Sequence, residues 1–209
     1  MSEAAEIIDA CLEMNHTGIN QGASGNVSVR HGGGILITPT SLAYHRSRPE
    51  YIIWMEFDGT VDGKLQPSSE WRFHVDIMRS KPDVGAVVHA HPTACTTLAI
   101  MEKAMPPTHY MVAICGGLDI RCAPYATYGT EELSRYTLEA LEGRSACLLA
   151  HHGAIVAGST LDQAMWRAVE VETLAKQYLG CLPMGEPPLL SEAEIDRVTR
   201  KIAGYGHQD

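Results

Sequence analysis

The apolar run from Val84 to Pro92, V-G-A-V-V-H-A-H-P, predicts a buried strand that ends in two histidines. Successive side chains of a strand point to opposite faces. Val84, Ala86, Val88 and Ala90 therefore share one side, and Gly85, Val87, His89 and His91 share the other. Two imidazoles about 7 Å apart at their Cα atoms can converge on one ion. Pro92 cannot extend a sheet ladder but suits the first turn of a helix, so the histidines stand at the carboxyl end of the strand, where ligands are commonly bound.

The same reading places the other elements. Ser2 to about Thr17 is an amphipathic helix with Ser2 as cap and Ile7, Ile8, Cys11 and Leu12 on one face, closed by Gly18. Val27 to Arg30 and Ile35 to Thr38 form a hairpin around Gly32-Gly33-Gly34, and Tyr51 to Phe57 is a further strand. A helix runs from about Ser69 to Arg79, capped by Ser68 or Ser69, with Trp71, Val75 and Met78 as its core stripe and Glu70 in its first turn. Pro92 to Lys103 is helical. Met111 to Ile114, Asp119 to Ala123 and Ala146 to Val156 read as strands, and Thr130 to Leu141 as a capped helix. Ser159 or Thr160 caps a long helix to Leu179. Ser191 and Glu194 form a capping box for a last helix ended by Gly204. Without a repeat or a low-complexity linker, residues 1–209 are expected to form one domain.

Composition narrows the function classes. A formal charge of −9 and a pI near 5.5, with no run of Lys or Arg, argue against nucleic acid or an anionic membrane as partner. Six cysteines without a C-x-x-C, most of them within apolar segments, fit reduced thiols and a cytoplasmic protein. No stretch approaches the ~20 apolar residues of a membrane span, and the N-terminus lacks the basic and apolar regions of a leader.

The chemistry rests on the histidines. A lone histidine at a strand end is ordinarily a satisfied polar residue. Two on one face, with His151-His152 further along, point instead to a metal. Adjacent residues of a strand face opposite ways, so only one of His151 and His152 can join His89 and His91. Three histidines and a carboxylate suit a zinc-like ion that polarises carbonyls. Glu70, beside the free amides of a helix start, is stabilised as a carboxylate, and an anion can dock in the same place. The turn Gly22 to Asn26 offers further amides. Hydrolysis at a metal-activated water is the other use of such ligands, but H-E-x-x-H is missing.

These segments resemble the class II aldolase/adducin family, and within it the bacterial fuculose-phosphate aldolases. The resemblance is carried by N-Q-G-x-x-G-N-V-S-V-R, L-I-T-P-T, P-S-S-E-W-R-F-H, A-V-V-H-x-H, H-Y-M, C-A-P-Y-A-T-Y-G-T, H-H-G and V-E-V-E-x-L-A-K-Q-Y-L, over nearly the whole chain. It implies a three-layer α/β fold, a central mainly antiparallel sheet flanked by helices, and a homotetramer with active sites between subunits. It implies that His89, His91, His152 and Glu70 hold Zn2+, or another divalent cation such as Mn2+ or Co2+, and that Glu70 is also the general acid and base. A phosphate would sit among Gly25, Asn26, Thr40, Ser68 and Ser69. Tyr110, from an adjacent subunit, would hand a proton to the aldehyde oxygen, and Tyr205 would close over the substrate. The implied reaction is cleavage of a phosphorylated ketose, fuculose 1-phosphate or a 5-deoxyribulose or 5-methylthioribulose 1-phosphate. The products would be dihydroxyacetone phosphate and an aldehyde, formed through a metal-stabilised enediolate.

Ser41 stands where those aldolases tend to have glycine, and S-L-A-Y-H-R-S-R-P and the segment around Gly116 to Arg121 are particular to this chain. Sugar-phosphate 4-epimerases of the family resemble it too, but carry an aspartate where Glu70 stands. Decarboxylases of phosphorylated oxo-acids are a further alternative. A non-catalytic, adducin-like scaffold would be expected to lack ligands that are present here. A Schiff-base aldolase needs a buried lysine, and all the lysines lie in polar contexts.

Overall fold

A computed structural model describes residues 2–61 and 65–202. Seven strands form one sheet in the order β3-β2-β1-β4-β7-β6-β5. They are β1 (Asn26–His31), β2 (Gly34–Ile37), β3 (Ile53–Glu56), β4 (Ala86–Ala90), β5 (Arg121–Ala123), β6 (Ala146–Leu149) and β7 (Gly153–Gly158). Every pairing is antiparallel except that of β5 with β6. Six α-helices flank the strands among the described residues: α1 (Glu3–His16), α2 (Trp71–Ser80), α3 (Thr93–Ile100), α4 (Glu131–Ala140), α5 (Leu161–Cys181) and α6 (Glu192–Ile202).

Both faces of the central strands are covered, which explains their apolar runs. Ala86, Val88 and Ala90 of β4 join Ala154 and Val156 of β7 in a core closed by α1, α3 and α5. Val87 and Ile155 face the other way, into a core closed by α2 and α4. A strand buried on both faces carries little polar alternation even in an antiparallel sheet. Three caps lie where expected, unlike the Ser68 or Ser69 cap of α2: Thr130 Oγ1 accepts from Leu133 N, Thr160 Oγ1 from Gln163 N and Ser191 Oγ from Glu194 N.

Three elements differ from the sequence reading. Ala146 to Val156 is two strands, with His151 and His152 in the reversal between them and His151 at φ 55. The run is interrupted only by His151-His152-Gly153, and with both arms buried and apolar it reads as one strand. Met111 to Ile114 lies within a 3-10 helix, Tyr110–Cys115. The Met111 amide donates to His109 Nδ1 as its cap, and the helix ends at Gly116 with φ 90. Packing of four consecutive buried residues against α5 and α6 overrides the β preference of Val and Ile. Helix α2 begins one residue later than Glu70, which takes the cap position without making a side-chain cap bond. Its buried side is correspondingly centred on Phe73, His74 and Ile77 together with Val75 and Met78, while Trp71 is only half-buried. Gly204 and Tyr205 lie outside the described residues.

Candidate metal centre and active site

The carboxyl end of β4 meets the start of α2 and the β6–β7 reversal, and each brings one part of the site. His89 is fully buried. Its Nδ1 donates to Ala154 O at 3.0 Å, and its ring packs edge-on to Phe73 with centroids 5.4 Å apart. With the proton committed at Nδ1, Nε2 presents a lone pair, the usual arrangement of a ligating histidine. That Nε2 lies 3.0 Å from His91 Nε2 and 3.1 Å from Glu70 Oε2. His152 Nε2 is 3.2 Å from Glu70 Oε1. One ring nitrogen from each of His89, His91 and His152 lies within 4.8 Å of the others.

Glycine makes the approach possible at two points. A Cβ on Gly153 would lie 2.5 Å from Ala90 O and 2.6 Å from His91 Cδ2, and one on Gly25 would lie 2.6 Å from His89 O. The H-H-G triplet thus couples a ligand candidate to the space its neighbour needs. His151, in the left-handed region, turns away: its Nε2 is 3.2 Å from Glu102 Oε1, and its ring faces Tyr125 at 6.0 Å.

The electrostatics favour a cation among these groups. Burial pushes His91 down to about 4, with His89 and His152 adding to the effect. Burial and then His89 push His152 down to about 4. Both rings are therefore neutral ligand donors at neutral pH. Burial alone would raise the Glu70 carboxyl, whereas positive charge at His89, then at His152, together with the Asn26 amide, draws it well below the usual carboxylate range. Glu70 Oε1 is buried and accepts no hydrogen bond despite its closeness to His152. Lone pairs on His89 Nε2, His91 Nε2 and Glu70 that face one another at 3.0 to 3.2 Å repel unless they share a positive charge. Tetrahedral zinc with bonds of 2.0–2.1 Å sets its donors ~3.3 Å apart. Three imidazoles and one carboxylate fit such an ion.

The chain matches the family model described as "Class II Aldolase and Adducin N-terminal domain" over residues 5–179. The chain belongs to the class II aldolase and adducin family. It is 52% identical over 200 residues to the 5-methylthioribulose-1-phosphate/5-deoxyribulose-1-phosphate aldolase of Rhodospirillum rubrum, covering 96% of this chain and 90% of that protein. It is 49% identical over 205 residues to the L-fuculose phosphate aldolase of Escherichia coli K12, covering 97% and 95%. A solved L-fuculose 1-phosphate aldolase superposes with a TM-score of 0.93 at 35% identity, over 96% of this chain and 95% of the other. Class II aldolases are metal-dependent, in keeping with the cluster of three histidines.

Around this centre the family's other segments take their places. Asn26 lies opposite His89 in the β1–β4 pairing. Its Nδ2 donates to Glu70 Oε2 at 3.0 Å, so the side chain assigned to a phosphate is already engaged with the carboxylate. Ser68 Oγ accepts from Glu70 N at 3.3 Å, and Ser68 N donates to Thr38 O, which brings the Thr38 to Thr40 segment to the mouth of α2. Ser41 adopts φ 57, a left-handed backbone conformation that favours glycine.

A cavity of about 850 Å3 opens beside Thr40 and Ser41 and is also lined by His45, Arg46 and Arg48. The basic residues of the S-L-A-Y-H-R-S-R-P segment thus face the same cavity as Thr40. Tyr110 is half-exposed, and its ring packs on His109, with no hydrogen bond to the histidine centre among the described residues. His74 carried no role in the sequence reading. Its spacing of four from Glu70 on one helix was the available signal.

Proposed function

We propose that residues 1–209 form one domain that cleaves a ketose 1-phosphate to dihydroxyacetone phosphate and an aldehyde. The observation that carries this reading is Glu70, whose two oxygens lie 3.1 and 3.2 Å from His89 and His152 at the start of α2. His89, His91, His152 and Glu70 would hold a divalent ion, Zn2+ by the chemistry of the donors. That ion would supply Lewis-acid polarisation of the ketose carbonyl. Glu70 takes a proton from C3 of dihydroxyacetone phosphate in the direction of synthesis and returns it there after C3–C4 cleavage. The backbone amides at Gly25 and Asn26, with Thr40, Ser68 and Ser69, hold the phosphate against the N-terminal end of α2. Arg46 and Arg48 add positive charge across the adjoining cavity. Tyr110, supplied by a second copy, protonates the aldehyde oxygen during synthesis, and Tyr205 closes the site.

The half-exposed or exposed Ile100, Met101, Tyr110, Tyr125 and Tyr128 suit burial between subunits of a homotetramer. Among the described residues no helix is long and apolar enough to cross a membrane, and the cytoplasm is the proposed compartment. The relatives divide between methyl-bearing five-carbon and six-carbon substrates, so the aldehyde is what remains to be assigned.

The test is a panel of fuculose 1-phosphate, 5-deoxyribulose 1-phosphate and 5-methylthioribulose 1-phosphate, with enzymatic detection of dihydroxyacetone phosphate, before and after chelation. Metal-dependent release from at least one member is expected. Epimerisation or loss of carbon dioxide from related phosphates, without release from any ketose, would overturn the reading.

A further inference from the structure

Behind the metal centre runs a buried hydrogen-bonded chain that the aldol chemistry does not by itself require. Ser28 Oγ lies 2.7 Å from His74 Nδ1, His74 Nε2 lies 2.5 Å from Asn26 Oδ1, and Asn26 Nδ2 lies 3.0 Å from Glu70 Oε2. Ser28 and His74 are fully buried, and Asn26 and Glu70 nearly so. Asn26 and Ser28 are two apart on β1 and so face the same side, opposite His89 and Val87. His74 is one turn beyond Glu70 on α2. The chain therefore links the sheet to the helix that carries the carboxylate.

Its polarity follows from the last member. A carboxylate accepts, so Asn26 must offer Nδ2 and keep Oδ1 for His74. His74 must then carry its proton on Nε2, and its Nδ1 accepts from the Ser28 hydroxyl. Burial holds His74 down to about 3, consistent with a single ring proton. Three donors point in sequence at Glu70 Oε2, while Oε1 receives none.

We propose that His74 is a positioning residue for Glu70: by occupying Asn26 Oδ1 it fixes the amide so that Oε2 is tied and Oε1 is left as the oxygen that exchanges the proton. Without His74 the Asn26 amide can rotate and present Oδ1 to the carboxylate, a repulsive contact that turns Glu70 out of line. This inference rests on the aldolase reading for its consequence, but not for its geometry.

Two measurements test it. In purified protein labelled with 15N at histidine, long-range 1H–15N correlation should show His74 protonated at Nε2 and bare at Nδ1. The opposite tautomer, or a doubly protonated ring at neutral pH, overturns the proposal whatever the protein's activity. In kinetics, His74→Phe should lower kcat on the order of tenfold, with KM and bound metal within about twofold. His74→Gln, whose amide can still donate to Asn26 Oδ1, should recover most of the loss. Unchanged kcat in His74→Phe, or equal loss of metal and activity in both variants, would mean His74 merely supports packing. If the parent protein cleaves no ketose phosphate, the functional reading has failed, and the tautomer measurement still decides the chain's polarity.

Discussion

Gly153→Ala should separate a site held by geometry from one held by donor identity alone, since it alters no ligand. The added Cβ would lie 2.5 Å from Ala90 O and 2.6 Å from His91 Cδ2, against 3.4 Å for ordinary contact. Relief therefore needs a movement of about 0.8 to 0.9 Å. The Ala90 carbonyl belongs to the β4–β7 ladder, where Ala90 pairs with Ala154, so the His91 ring is the part able to move. Metal–ligand distances tolerate about 0.2 Å. A displacement several times larger should remove His91 from the donor set. Displacements near 1 Å at a reacting centre cost on the order of 10²-fold in rate, and overpacking costs about 1–3 kcal/mol. At about 2–4 °C per kcal/mol for a chain of this size, Tm should fall by several degrees. The assay is metal content after dialysis against buffered zinc, with turnover and Tm measured on the same preparations. Gly33→Ala is the control, since a Cβ there meets nothing within 4 Å. If Gly153→Ala kept its metal and turned over within twofold of the parent, the close approach of β7 would not be what seats His91.

Glu70→Gln keeps the size and the Asn26 contact but cannot accept a proton. Turnover and proton exchange between dihydroxyacetone phosphate and solvent should fall together by roughly 10² or more, with metal retained by elemental analysis; full exchange without cleavage would point to another base. His91→Ala should lose both metal and turnover, whereas His151→Ala should keep the metal, because His151 points at Glu102 and Tyr125; the reverse result would exchange their roles. Chelated protein should lose thermal stability as pH falls from about 6.5 towards 4. In that window unfolded imidazoles, with an ordinary value of about 6.5, bind protons that His91 and His152, lowered to about 4, do not. A Tm that stays flat or rises over that range would show the rings are not buried neutral.

The local sequence determined a good deal. Caps at Ser2, Thr130, Thr160 and Ser191 depend on contacts within three residues, and all four hold. The same-face pairing of His89 and His91 depends only on strand periodicity, and the two rings stand 4.8 Å apart. Where the deciding contact is distant along the chain, sequence was silent. The reversal at His151 is forced by β6 and β7 pairing with each other, and the H-H-G triplet that marks it reads equally well as the interior of one strand, because both arms are buried on both faces. The 3-10 turn at Tyr110 follows from packing against α5 and α6, which begin some 50 and 80 residues later. Glu70 read as a carboxylate on a helix start. Only the tertiary structure turned it inwards, because its partners Asn26, His89 and His152 come from β1, β4 and the β6–β7 reversal. Ser28, Asn26 and His74 are ordinary residues in a strand and a helix until the sheet is assembled. Hydrogen bonding across 46 and 48 residues then makes them one unit, and no periodicity within either element encodes it.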